Sequence, residues 1–260
     1  MARAQKLVPS AVWTLLGTLA LLSLPWPVIA QATQANCRKA GDEVEFLPKN
    51  GVNPNRWDYR RETWHSSYRD QMTAMLANVE ENHFPPNTER LIKPRFSRFI
   101  DDLHYTLAIW PNHHRVLSTA LKLSERLGTD TPEGAGISIE CFFERAIRFR
   151  PADTVVRGLY AEFLRKRNRQ PEALSQLVEM DRYASGNAMT HLNTGRLYLE
   201  MNRPQEALEQ AHKAMANGHP DAGMLRTRLT AMGVWRDAAP GPNLEEVNSG
   251  RQNLPQKVTD

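Results

Sequence analysis

The chain copies itself: Asn168 to Gln176 reads NRQPEALSQ and Asn202 to Gln210 reads NRPQEALEQ, an offset of 34 residues with six of nine positions identical. A fixed period of this length constrains the fold more than composition does. Each copy must be one supersecondary unit that buries its apolar face only against its neighbours. Around the match, residues recur at helical spacing. Gly195, Tyr198, Ala207, Ala211, Ala214 and Pro220 mark one copy, and Ala161, Leu164, Ala173, Leu177 and Met180 the copy before it. Phe143, Ala146, Ile147 and Pro151 give the second half of an earlier copy, and Leu103 to Pro111 give that half once more. Small residues suit places where two antiparallel helices approach closely, and large ones fill the space toward the next pair.

This pattern resembles the tetratricopeptide-repeat (TPR) family, although Ala211 stands where a large residue is usual. The resemblance implies an all-α fold, a TPR-type helical-hairpin solenoid with a C-terminal capping helix. His114 to Leu127 predicts a helix with Val116, Ala120, Leu123 and Leu127 on one face. Pro111 and Pro151 lie 40 residues apart, 40 − 34 = 6 more than the period. The surplus falls in the turn-rich stretch Gly128 to Gly136, which predicts an enlarged loop. Upstream, Ser66 to Asn82 predicts a helix carrying Met72, Met75, Leu76 and Val79, ended by Pro85-Pro86. Arg95 to Ile109 is its expected partner in a degenerate first hairpin. Ala222 to Met232, with Met224, Leu225, Leu229 and Met232, predicts the cap.

At the N-terminus, Arg3 and Lys6 precede an apolar run from Ala11 to Leu24, Pro25 and Pro27 end it, and Ala30-Gln31-Ala32 offers a cleavage site. That is the layout of a secretory signal peptide. The expected organisation is a signal peptide over 1–32, an irregular N-terminal arm over 33–64, the repeat domain over 65–236 and a disordered tail over 237–260. The apolar run is shorter than the roughly 20 residues of a spanning helix. Export to the periplasm with no stable membrane span after cleavage is therefore expected, an inner-membrane anchor facing the periplasm being the alternative. Cys37 and Cys141 survive processing, and an even count in an oxidising compartment predicts one disulfide between them. The formal charge is +4, or 4 − 2 = +2 without Arg3 and Lys6, with both signs interleaved. This balance predicts a solvated surface and no nucleic-acid partner. Cys37, Asp58-Tyr59-Arg60, His83-Phe84, Pro111-Asn112-His113-His114, and Cys141 ahead of Arg148-Phe149-Arg150-Pro151 together resemble a family of exported proteobacterial TPR proteins. That resemblance supports the compartment and the fold and implies no activity.

Chemistry is hard to place on this sequence. His113 and His114 are adjacent, so on a helix they point in different directions and lack the spacing that lets two imidazoles share a metal ion. Their position after Pro111 predicts capping or packing. There is no G-x-S-x-G, no glycine-rich phosphate loop, and the carboxylate pairs Asp101-Asp102 and Glu245-Glu246 are adjacent. No catalytic residue, cofactor or metal is expected, and a hydrolase of unrecognised type is the least favoured reading. What remains is the concave groove that first helices of stacked hairpins line. Its expected residues are Glu162, Arg165 and Lys166 in one copy and Asn193, Arg196 and Glu200 in the next. Asn193 and Arg196, three apart on one face, suit a peptide backbone or carboxylate. Glu162 and Glu200 interrupt the basic clamp of chaperone-binding TPR proteins, while Leu192 and Leu199 are expected to add apolar contact. The expected function is a non-enzymatic scaffold or adaptor binding a protein or peptide. The alternative is an assembly accessory of a surface polysaccharide or secretion complex, including self-association.

Overall fold

The computed structural model describes Cys37 and residues 57–237. The expected signal peptide over 1–32, most of the expected arm and the expected tail beyond Asp237 lie outside the described residues. Among those described, ten α-helices and no strand occur. They are α1 Arg69–His83, α2 Pro86–Glu89, α3 Phe99–Ile109, α4 His114–Leu127, α5 Ile139–Phe149, α6 Thr154–Arg165, α7 Gln170–Tyr183, α8 Ala188–Glu200, α9 Pro204–Ala216 and α10 Gly223–Ala231. Helices α1/α3, α4/α5, α6/α7 and α8/α9 pair as hairpins, and α10 packs on α8 and α9 as the cap. First helices also pack side by side, α4 on α6 and α6 on α8, giving the stack a continuous inner face. The expected helical-repeat solenoid is therefore the observed architecture.

The 34-residue period is visible in the backbone. Asn168 and Asn202 both take left-handed torsions, φ 59° and 56°, a region that asparagine tolerates better than most residues. Each ends a first helix with the same bonds: Asn168 N–H to Arg165 O and Arg169 N–H to Leu164 O, then Asn202 N–H to Leu199 O and Arg203 N–H to Tyr198 O, all 2.9–3.1 Å. The next helix begins at a proline-bearing first turn in both copies, where a missing N–H leaves no bond unmade. Caps recur as well. Asp153 accepts from the N–H groups of Val155 and Val156 at the start of α6, and Asn187, 34 residues on, accepts from Thr190 N–H at the start of α8. Each satisfies donors that a helix start leaves unpaired.

Packing follows the repeat chemistry. Ala161, Ala173, Ala207, Ala211 and Ala214 are all buried where helices meet, and Phe142, Phe143 and Phe163 fill the space between the second and third hairpins. Gly195 sits at a closer approach. A Cβ there would lie 2.5 Å from Leu225 Cδ1 and 3.2 Å from Gln210 Cβ. Gly195→Ala is expected to lower stability by about 2 kcal/mol, the scale of overpacking a filled core, measured as a shift in the urea midpoint. An unshifted midpoint would show that α10 swings away freely.

Two boundaries differ from expectation. The first helix starts at Arg69 because Ser66–Tyr68 forms a 3-10 turn, with His65 Nδ1 accepting from Ser67 N–H. Its partner starts at Phe99, not Arg95. The buried Asp102 Oδ2 accepts from Arg95 N–H at 2.7 Å and Phe96 N–H at 3.4 Å, which ties that segment across the helix start. The enlarged loop after α4 leaves through Gly128 in the left-handed region, φ 65°. It is pinned to the next repeat by the Arg167–Asp130 ion pair, and the same Arg167 donates from Nη2 to Ser124 Oγ on α4 at 2.7 Å.

Cys37 and Cys141 form the expected disulfide, closing a separation of 104 residues, and both are 1% exposed. Trp57 and Trp64 of the arm join Trp110, Met72, Leu76 and Val79 in a separate apolar cluster over the first hairpin.

Candidate functional site

The C-terminal part of the arm, residues 57–64, is fastened across the start of the inner face by one polar knot. Asn112 sits at its centre. The Asn112 side chain accepts from Tyr59 N–H at 2.9 Å and donates to Asp58 Oδ1 at 2.7 Å and Asp153 Oδ2 at 2.8 Å. Arg60 and Arg150 both donate to Asp58, at 2.8 and 2.7 Å, and His114 Nε2 reaches Asp153 at 2.9 Å. Burial alone would raise the Asp58 carboxyl, but hydrogen bonds from Arg60, Asn112 and Arg150 outweigh it and hold the group well below the usual carboxylate range. Burial opposes ionisation of Asp153 too, and His114, Asn112 and the Val156 N–H reverse that.

The adjacent histidines cap and pack, as their place after Pro111 suggested. His113 Nδ1 accepts from Val116 N–H at the start of α4, so Nε2 carries the proton and donates to Glu80 Oε1 at 2.9 Å. Burial lowers the His113 pKa, consistent with this neutral tautomer. The Tyr59 ring stacks on His113 with centroids 4.0 Å apart and meets His114 edge-on at 5.1 Å. Among the described residues no group of three or more His, Cys, Asp or Glu is placed to hold a metal ion.

Beside the arm, over the N-terminal halves of α6 and α8, lies a cavity of about 810 Å³. Its apolar surface comes from Val155, Leu159, Met180, Met189 and Leu197, and Tyr59 to Glu62 of the arm form part of its wall. Of the six expected groove residues, Glu162, Asn193 and Arg196 line this cavity and Arg165, Lys166 and Glu200 do not. All but Asn193 are joined in one ionic chain across three first helices. Lys166 pairs with Glu125 at 2.5 Å and Glu162 at 3.7 Å, Arg196 with Glu162 at 3.8 Å and with Glu200, and Arg165 with Glu200 at 3.0 Å. Half-exposed pairs like these add little stability individually, but they leave the cations already engaged. Asn193 is exposed, and its side-chain amide makes no hydrogen bond to another described residue.

One expectation is corrected here. Leu192 and Leu199 pack into the core, and neither lines the cavity. The apolar contacts come instead from Val155, 45% exposed, and Met189, 58% exposed, which are 34 residues apart and so hold the same place in successive repeats. Their shared register, an apolar residue two after the cap in each copy, was readable in the sequence, and their exposure was not. Compared with known proteins, the chain matches no family model and no curated protein significantly.

Proposed function

We propose that this is an exported TPR-type scaffold whose concave groove binds a protein or peptide segment without chemistry of its own. The observation that carries the reading is the cavity of about 810 Å³ along the inner face, of ligand-site size and walled partly by apolar side chains that a repeat protein would otherwise bury. Export is supported by the buried Cys37–Cys141 bridge, which fits an oxidising compartment. No helix among the described residues is long and apolar enough to cross a membrane. The inner-face placement of Asn193, with its amide free to meet a peptide backbone, favours binding over a purely structural role.

Site-specific photocrosslinking in intact cells tests the reading. A photoreactive residue at Asn193 should trap a defined protein partner, whereas one at Val178, exposed on α7 outside the cavity, should not. Trapping from Val178 alone would move the interface to the outer face. Silence from both would remove the binding role.

A further inference from the structure

The formal charge of the whole chain is +4, and one short stretch carries that much alone. Residues 90–99 read RLIKPRFSRF, with Arg90, Lys93, Arg95 and Arg98 and no acidic residue among them. They run from the end of α2 to the start of α3. Arg98 is held by Asp101 at 2.9 Å. Arg90, Lys93 and Arg95 are exposed and have no ion pair among the described residues. Lys122 and Arg126 of α4, also exposed, have none there either. Arg126 donates to Leu91 O, and Thr119 Oγ1 donates to Glu89 O at 3.3 Å, so the face of α4 that carries these two cations lies along the same link.

Large apolar side chains stand out between the cations. Ile92 is 65% exposed and Phe96 57%. Single exposed hydrophobes are ordinary, but Phe96 belongs to a patch. Its ring lies 5.1 Å from that of His83, which stacks at 3.6 Å on Tyr105, itself 48% exposed. The backbone holds this arrangement at a cost. Leu91 is buried with a left-handed torsion, φ 56°, a state that leucine rarely takes, and the next side chain faces solvent.

From residue 92 to residue 96 the link has no free N–H. Ile92 and Lys93 N–H both donate to Asn87 O, at 2.8 and 3.3 Å, Arg95 and Phe96 N–H donate to Asp102 Oδ2, and Pro94 has none to give. A peptide that binds by adding a strand needs such donors. A lipid interface favours their absence, because an unpaired backbone group is penalised when it leaves water. Exposed Ile and Phe among unpaired Lys and Arg also match what holds a protein on an anionic bilayer, where apolar tips enter the headgroup layer and cations stay with the phosphates.

We propose that residues 90–98 dock the protein peripherally on a bilayer containing anionic phospholipid. Ile92 and Phe96 enter the headgroup layer, and Arg90, Lys93 and Arg95, with Lys122 and Arg126 of α4, meet lipid phosphates. This goes beyond the groove reading and is independent of what the groove holds.

Flotation of the full chain with two kinds of vesicle tests it, one of phosphatidylcholine alone and one of phosphatidylcholine and phosphatidylglycerol in equal parts. Binding to the anionic vesicles should be at least about ten-fold tighter, and added salt should weaken it by screening the cations. Each cation near an anionic surface is worth about five-fold in affinity, so Lys93→Gln with Arg95→Gln should weaken binding about twenty-five-fold. Ile92→Ser should weaken it about ten-fold. Met224→Asp, at a residue 69% exposed on α10, should leave it unchanged. All four side chains are exposed, so the fold tolerates their replacement. The apolar run Ala11 to Leu24 is common to every variant. Binding that came from this run alone would ignore both the lipid charge and the loop substitutions, and would overturn the proposal. Absence of vesicle binding would overturn it too. In that event, a labelled poly-glutamate peptide that binds the wild type and not the double Gln variant would reassign the surface to an acidic protein. A partner still trapped from Asn193 in cells would leave the groove reading standing.

Discussion

Cys37→Ala with Cys141→Ala is expected to lower stability by about 4–5 kcal/mol, the chain-entropy value for a loop of about 100 residues. The bridge spans 104 residues and joins the arm to the first turn of α5, where Ser138 Oγ caps the helix and also lies 3.3 Å from Cys141 Sγ. Its loss releases the unfolded chain from the tether and leaves two buried apolar positions with nothing to fix their partner. The urea midpoint of the double variant, compared with that of the oxidised protein, gives the magnitude. Because both sulfurs are 1% exposed, reductant alone should act slowly on the native protein and quickly near the unfolding midpoint. Unchanged stability in the double variant would mean that the arm is held without the bridge.

Asn112→Ala should destabilise by about 2 kcal/mol, because it removes two hydrogen bonds to charged acceptors and leaves one backbone donor without its acceptor. Asp58 Oδ1 and Asp153 Oδ2, both bridged by the amide, would face each other unbridged, and Tyr59 N–H would lose its acceptor. Tryptophan fluorescence should report the arm loosening, since Trp57 and Trp64 pack in the cluster that it covers. A pH dependence follows from the same knot. The carboxyls of Asp58 and Asp153 titrate below their ordinary range in the folded protein. Their contribution is therefore complete above the unfolded value of about 3.9 and is lost as pH falls through it toward the folded pKa. Between about pH 4 and 2, urea midpoints of the wild type should fall more steeply than those of Asp58→Asn. Parallel slopes would show that the knot is not the acid-sensitive element.

The repeat was legible because its determinants are local and periodic. Asn168 and Asn202, Asp153 and Asn187, Ala173 and Ala207 each announce one turn or one close contact, and a 34-residue register collects them into a stack. The start of α3 was misplaced because Asp102 acts backward on Arg95 and Phe96, a tertiary-like bond that outweighs helical periodicity. The knot was only half legible. Asp58, Tyr59, Arg60, Asn112, His114 and Arg150 stood among the residues of the expected resemblance, but Asp153 did not, and nothing periodic connects Asn112 to a carboxylate 54 residues before it and another 41 after it. For the groove, charge in mid-helix drew attention to residues that turn out to neutralise one another. The exposed apolar pair at the first turns is what distinguishes the cavity from an ordinary repeat surface.

Hairpins stacked on their neighbours need only nearby sequence, so each can form as soon as its own residues and the preceding pair are present. Arg150 meets Asp58 across 92 residues, and Asp153 completes the knot a few residues later. During vectorial delivery of the chain, the arm is therefore made first and settled late. Until α6 arrives, the knot lacks Asp153 and Asn112 has only one of its two carboxylates, and a chain interrupted before Asp153 keeps its early helices but has none of the α6 and α8 residues that line the cavity. The arm thus acts as a mark of progress: it locks fully only when the third hairpin has begun, and the cavity beside it closes only when α8 of the fourth is in place.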